Sequence, residues 1–232
     1  MHPKVKQARI VWLLSVAASP VVYALVYMPR KLIVPGDAAA TAQNVLANEN
    51  VLRLAALAEV WHGAVFIVLA MALHRLLGDV DRWLARLMVA FVVALVAVSY
   101  VNAAHYLGAL AFFGAPEFLG GFDATQREGL GYMFLHLHTL GTRANEMLWG
   151  AWLLPFGWLV VRSRFLPRVL GVLLLLNGAA WMLSCIAWIL IPEFGPRLFN
   201  LMMPFYLGEV CIFTYMLIKG VNVDRLPESE RP

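Results

Sequence analysis

Three pairs of polar residues recur at a spacing of three within otherwise apolar stretches of the chain. They are Glu59 with His62, Asn102 with His105, and Arg143 with Glu146. Residues three apart share one face of an α-helix, so each pair predicts a polar stripe on its helix. The Glu-x-x-His spacing of the first pair is typical of carboxylate metal sites in helical bundles.

Four of these side chains are candidate catalytic residues: Glu59, His62, His105 and Glu146. Two carboxylates and two imidazoles would form a ligand set for a divalent metal, Zn, Fe or Mn. The same groups could act as general acids and bases without a metal. A network of hydrogen bonds that only joins helices is the alternative without chemistry.

A second set of residues is predicted to bind a ligand: Arg143, His138, Asn102 and Asn145. The planar guanidinium of Arg143 suits an anionic headgroup or a carboxylate. The simpler interpretation is an ion pair between Arg143 and Glu146 within one helix. His138 shares a helix face with Asn145 and Glu146, whereas His136 faces elsewhere because it lies two residues earlier.

Several other chemistries find little support in the motifs. His62 and His105 could be axial ligands of a non-covalent haem, whereas no Cys-x-x-Cys-His motif for covalent haem occurs. The chain has no P-loop, no dinucleotide-binding glycine motif and no His-Glu-x-x-His motif. These absences argue against an ATP-driven pump and against a nicotinamide-dependent enzyme.

The composition indicates where these residues must lie. Hydrophobic residues make up 62% of the 232 residues and charged residues 14%, against about 45–50% and about 25% in soluble domains. The mean hydropathy is +0.74. With two cysteines, the chain is not a disulfide scaffold. An all-α, polytopic membrane protein is therefore predicted, with the lipid bilayer as its partner and no nucleic acid.

Six apolar runs, each long enough to cross a bilayer, predict a six-helix transmembrane bundle in a single membrane domain, 1–232. The runs are 10–28, 52–75, 87–113, 129–161, 169–191 and 198–218. Lys and Arg are concentrated at the N-terminus, in the second and fourth loops and in the tail, which places both termini in the cytoplasm. An outer loop helix is predicted at 38–48, with Asp37 as its N-cap.

The depth of the polar residues follows from the helical rise. We count from the charged residue at the cytoplasmic end of each span, at the rise of an α-helix. This places Glu59, Asn102 and Glu146 about 24 Å above that residue, towards the outer side. By the same count, His105 and Arg143 lie about 28 Å above the charged residue of their span, and His62 lies about 20 Å above it. The sequence therefore predicts one polar site in the outer half of the bundle. Glu209 is lower, about 15 Å up, near the middle of the membrane.

Four sequence stretches resemble a bacterial membrane-protein family known as domain of unknown function 4386. They are KLIVPGDAAATAQNVL at 31–46, LHLH at 135–138, WGAWLLPFG at 149–157 and FLPRVLG at 165–171. The resemblance covers nearly the whole chain and implies a helical protein of the bacterial inner membrane, with no assigned activity. The chain departs from the family pattern at His62, at His136 and in the polar stretch 143–146.

Three functions are compatible with these patterns. The first is a membrane enzyme that acts on a lipid-like or hydrophobic small molecule entering from the outer side. The second is a small-molecule or proton-coupled transporter, which fits less well because the inner half of the bundle is nearly free of polar groups and shows no internal repeat. The third is a structural or partner-binding membrane protein without catalysis.

Overall fold

The structure is a computed structural model that describes residues 2–18 and 27–222, and in this part of the chain it contains helices and no strand. The α-helices are α1 (Pro3–Ala18), α2 (Ala38–Ala47), α3 (Glu49–Leu77), α4 (Arg82–Phe113), α5 (Ala124–Arg162), α6 (Arg168–Leu190), α7 (Gly195–Met202) and α8 (Gly208–Ile218). Short 3-10 helices occur at Met28–Leu32, Glu117–Leu119 and Met203–Leu207.

Four helical segments are long and apolar enough to cross a membrane. They are α3, α4, α6 and the segment Gly195–Ile218, which comprises α7, the adjoining 3-10 helix and α8. These segments correspond to four of the six predicted spans, and the chain is a helical membrane protein. The number of spans and the side on which the termini lie stay predictions.

The other two predicted spans have different outcomes. The run 10–28 begins within α1, and its residues 19–26 lie outside the described part of the chain. The run 129–161 lies within α5, a continuous helix of 39 residues. This helix is not among the four membrane-spanning candidates, since Arg143, Asn145 and Glu146 make its middle polar.

Two helix starts are held by acidic caps. The carboxylate of Asp37 accepts a hydrogen bond from the Ala40 backbone N–H at 2.8 Å, which starts α2. At the start of α5, the Asp123 carboxylate accepts from the Gln126 N–H at 2.8 Å, and the Gln126 side chain accepts from the Asp123 N–H at 3.0 Å. This reciprocal arrangement is a capping box, which satisfies donors that a helix start leaves open.

The chain divides into two compact units. The larger unit comprises Met1–Val16, Val65–Val96 and Arg143–Pro232, and the smaller unit comprises Ala17–Ala64 and Ala97–Thr142. Helices α3, α4 and α5 therefore each contribute residues to both units. That residues 1–232 form one membrane domain is a prediction from the sequence.

Each unit has its own apolar core. In the larger unit, the core includes the buried side chains of Leu73, Met88, Trp152 and Leu174. Here α5 and α6 approach closely, because a Cβ atom at Gly150 would collide with the carbonyl of Gly178. Small residues at such crossings allow close backbone contact between membrane helices.

The core of the smaller unit is built from α2, α3, α4 and α5. Val45, Leu52, Ala109 and Leu135 are buried in it, one from each of these helices. Tyr106 belongs to the same core and is 3% exposed.

Candidate functional site

In the smaller unit, Glu59 of α3 meets His138 of α5. The Glu59 Oε1 atom lies 2.7 Å from His138 Nε2, with the two side chains 12% and 7% exposed. We call these two residues the glutamate–histidine pair. The second carboxylate oxygen, Glu59 Oε2, is buried and has no hydrogen-bond partner among the described residues.

The His138 ring is held in place by an aromatic neighbour. Tyr106 of α4 stacks on it with ring centroids 3.9 Å apart and planes inclined by 25°. Such a contact restricts rotation of the imidazole while leaving its nitrogens in the ring plane for hydrogen bonding.

The backbone next to the histidine is fixed as well. Asn102 Nδ2 donates to the His138 carbonyl at 3.0 Å and to Thr142 Oγ1 at 2.9 Å. Thr142 Oγ1 donates in turn to the same His138 carbonyl at 2.9 Å. Asn102 can reach this position because Gly141 has no side chain: a Cβ atom there would collide with Asn102 Oδ1.

Two further histidines of the smaller unit lie near this pair. His105 Nδ1 donates to Asn102 Oδ1 at 3.2 Å, and its ring meets Phe134 edge-on. His62 lies three residues after Glu59 on α3, so the two side chains share a helix face. His136 is exposed, whereas His138 is buried, as expected for residues two apart on a helix.

In the larger unit, Arg143 and Glu146 bond within α5. Arg143 Nη1 donates to Glu146 Oε1 at 2.6 Å, with side chains 21% and 1% exposed. We call these residues the arginine–glutamate pair. The guanidinium lies over the rings of Trp188, at 4.2 Å from the centroid, and Phe199, at 5.4 Å. Both rings therefore add a cation–π attraction to the ion pair.

Buried polar atoms surround this second pair. Glu146 Oε2, Ser184 Oγ, Trp188 Nε1 and Tyr206 OH are all buried and lack a hydrogen-bond partner among the described residues. Tyr206 is positioned by stacking on Trp181 at 4.1 Å. Buried polar groups in folded proteins are nearly always hydrogen-bonded, so four such atoms near one ion pair require an explanation.

Two other predicted residues have structural partners in the larger unit. Asn145 Nδ2 donates to the Leu95 carbonyl at 3.1 Å and so joins α5 to α4. Asn177 Nδ2 donates to Glu209 Oε2 at 3.4 Å, which joins α6 to α8. Both contacts tie neighbouring helices together through an amide.

The eight predicted site residues are thus divided between the units. Glu59, His62, Asn102, His105 and His138 belong to the smaller unit, and Arg143, Asn145 and Glu146 to the larger one. Among the described residues, no three His, Cys, Asp or Glu side chains form a group that could hold a metal ion. The metal site at Glu59, His62, His105 and Glu146 stays a prediction.

Two aromatic residues that contact these pairs are not among the predicted site residues: Tyr106 stacks on His138, and Trp188 lies against Arg143. Tyr106 follows Asn102 by four residues, and Trp188 follows Ser184 by four. Each therefore shares a helix face with a polar residue, and for Tyr106 this residue is the predicted ligand-binding Asn102, so the spacing could have revealed it.

Comparison with known proteins gives a family match. The chain has no significant match among curated proteins or among solved structures. The family described as Domain of unknown function (DUF4386) matches residues 11–220. This match covers most of the chain and includes both polar groups described above. The chain therefore belongs to the family known as Domain of unknown function (DUF4386).

Proposed function

We propose that the protein is a multi-pass enzyme of the bacterial inner membrane, with six spans and both termini in the cytoplasm. It uses the glutamate–histidine pair to transfer a proton on a lipid-like or hydrophobic substrate. The observation that carries this proposal is the 2.7 Å hydrogen bond between Glu59 Oε1 and His138 Nε2. A carboxylate and an imidazole in such contact can share the roles of general base and orienting group.

The two oxygens of Glu59 have different roles in this proposal. Oε1 accepts a hydrogen bond from His138 Nε2, which fixes the orientation of the carboxylate. Oε2 is buried without a partner among the described residues, so it is the atom that would take a proton from a substrate. The resulting carboxylic acid returns that proton to the product, and the pair ends in its starting state.

The surroundings favour an apolar substrate. The Glu59 side chain is 12% exposed, and Tyr106 and the core of the smaller unit surround its histidine partner. Both α3 and α4 are apolar enough to lie in a membrane. A molecule with an apolar body can reach such a carboxylate from the bilayer, whereas a charged solute would first have to lose its hydration.

The test follows lipid turnover, because no single substrate is specified. The protein is placed in nanodiscs made from a bacterial total polar lipid extract, in deuterium oxide buffer. Mass spectrometry then detects new lipid species and lipids that carry carbon-bound deuterium. Removing a general acid–base group should slow turnover by about 10²–10⁴-fold, so we expect this loss for Glu59→Gln and a smaller loss for His138→Gln, which removes the orienting group.

His136→Gln is the matched control. This exposed histidine lies two residues from His138 on the same helix, and its substitution should leave turnover unchanged. Equal turnover in the wild type and in both variants of the pair would contradict the proposal. Absence of any lipid change in the wild type would also contradict it and favour the structural role.

A proton-coupled transporter is the second candidate, and Glu209 favours it. This carboxylate bonds to the buried Asn177 and is predicted to lie near the middle of the membrane. Proteoliposomes with an internal pH-sensitive dye would show dissipation of a proton gradient that Glu209→Gln abolishes. Dissipation that persists in Glu209→Gln would count against this function.

A further inference from the structure

We propose that the larger unit contains a binding site for a phosphate-ester oxoanion, formed around the arginine–glutamate pair. Six residues form this site, which we call the arginine cluster: Arg143, Glu146, Ser184, Trp188, Phe199 and Tyr206. The proposal is independent of the glutamate–histidine pair, because no residue of that pair contributes to it.

The first support is the hydrogen-bonding capacity left over in the cluster. A guanidinium has five N–H donors, and Arg143 makes one hydrogen bond within the described part of the chain. Ser184 Oγ, Trp188 Nε1 and Tyr206 OH are buried and make no hydrogen bond among the described residues, although Ser184 lies beside both Glu146 and Tyr206. Donors therefore outnumber acceptors around Arg143, which is the condition for binding an anion.

The second support is burial. Ser184 is 0% exposed and Glu146 1% exposed, whereas the Arg143 side chain is 21% exposed. Of these side chains, the guanidinium is therefore the one that a ligand can reach first. A buried donor without a partner is unfavourable, so a ligand that accepts from these donors would be bound favourably.

The third support is the geometry of the arginine. Stacking on Trp188 at 4.2 Å and on Phe199 at 5.4 Å restrains the guanidinium plane. A restrained planar fork loses less side-chain entropy when it binds an oxoanion. Phosphate offers more acceptor oxygens than a carboxylate, so it can accept from Arg143, Tyr206 and Ser184 at once.

Glu146 gives the site its selectivity. Its Oε1 already neutralises Arg143, so the cluster has no net charge before a ligand binds. A phosphodiester with one negative charge is then favoured over a phosphate with two, since each added charge must be removed from water. Glu146 Oε2, which lacks a partner among the described residues, can accept from a hydroxyl group of the ligand.

The ligand could be a lipid headgroup or a free phosphate, and the experiment separates them. Purified full-length protein in an uncharged detergent is titrated with dihexanoyl phosphatidylglycerol, with inorganic phosphate or with dihexanoylglycerol. The last probe has the same acyl chains without the phosphate. The readout is the melting temperature, which we expect phosphatidylglycerol to raise by about 5 °C at saturation.

Variants test the contacts. Arg143→Lys keeps the charge beside Glu146 but loses the planar fork, and Tyr206→Phe loses a single hydroxyl. Each should weaken binding of phosphatidylglycerol about tenfold or more. The matched control is Arg53→Lys, because Arg53 pairs with Glu49 on one helix at 3.0 Å but is 58% exposed. This control should keep the wild-type affinity.

Each outcome has one meaning. Stabilisation by phosphatidylglycerol alone identifies a lipid headgroup, and stabilisation by inorganic phosphate as well shows that the free anion also enters. Equal stabilisation by dihexanoylglycerol would show binding through acyl chains and overturn the proposal. It would also be overturned by no shift with any probe, or by full binding in both Arg143→Lys and Tyr206→Phe.

Discussion

The glutamate–histidine pair and the arginine–glutamate pair look alike at the level of single atoms. In each, a carboxylate oxygen accepts from a nitrogen, at 2.7 Å in the smaller unit and 2.6 Å in the larger one. In each, the other carboxylate oxygen is buried and lacks a partner among the described residues. Both pairs are braced by an aromatic ring, Tyr106 in one and Trp188 in the other.

The pairs differ in what their nitrogen partner can do. An imidazole gains and loses its proton near neutral pH, whereas a guanidinium stays charged in proteins. Of the two pairs, only the glutamate–histidine pair therefore has a nitrogen partner that can exchange a proton near neutral pH. This difference is why we propose acid–base chemistry for Glu59 and His138, and anion binding for Arg143.

The largest expected effect comes from removing the permanent charge. Arg143→Met leaves Glu146, which is 1% exposed, as an uncompensated buried carboxylate. Breaking a buried pair in this way should lower the free energy of unfolding by about 3 kcal/mol. Thermal unfolding in detergent measures this change. The partner variant His138→Gln should cost less, about 1 kcal/mol, because the glutamine amide can still donate to Glu59.

Two controls sharpen that comparison. The double variant Arg143→Met, Glu146→Gln should recover much of the lost stability, since no buried charge is left. Arg53→Met should change stability by less than about 0.5 kcal/mol, because its ion pair with Glu49 is exposed. Similar losses for Arg143→Met and Arg53→Met would show that burial of Glu146 has no energetic consequence.

An intermediate effect is expected at Gly141, which allows Asn102 to approach the helix. A methyl group there would collide with Asn102 Oδ1, so Gly141→Ala should destabilise the protein by about 2 kcal/mol. Gly129→Ala on the same helix is the control, because nothing lies within 4 Å of an added Cβ atom there. That variant should gain up to about 1 kcal/mol from helix propensity. Chemical denaturation of both variants decides the point, and a stable Gly141→Ala protein would contradict the close approach.

The smallest effect is the coupling within the glutamate–histidine pair. A double-mutant cycle with Glu59→Gln and His138→Gln should give an interaction energy of about 1 kcal/mol, typical of polar contacts between membrane helices. Unfolding free energies of the wild type, the two single variants and the double variant provide it. A coupling near zero would mean that the two side chains do not bond, and it would remove the basis of the proposed acid–base role.

Contacts between polar residues of the same helix could be predicted from the sequence. Asn102 with His105 and Arg143 with Glu146 are each three residues apart, and each pair is in contact. The spacing of Glu59 and His62 also placed them on one face, yet the hydrogen bond of Glu59 goes to His138, 79 residues away. The helical repeat specifies neighbours along one helix and says nothing about which residue a second helix presents.

The sequence by itself determined that the chain is helical and apolar enough for a membrane, and which residues share a face of each helix. Those properties depend on composition and on a period of 3.6 residues, which are local. Only the tertiary structure decided that His138 is the partner of Glu59 and that Trp188 covers Arg143. Such pairings depend on the rotation and register of packed helices, which are set by close contacts such as that of Gly141 with Asn102.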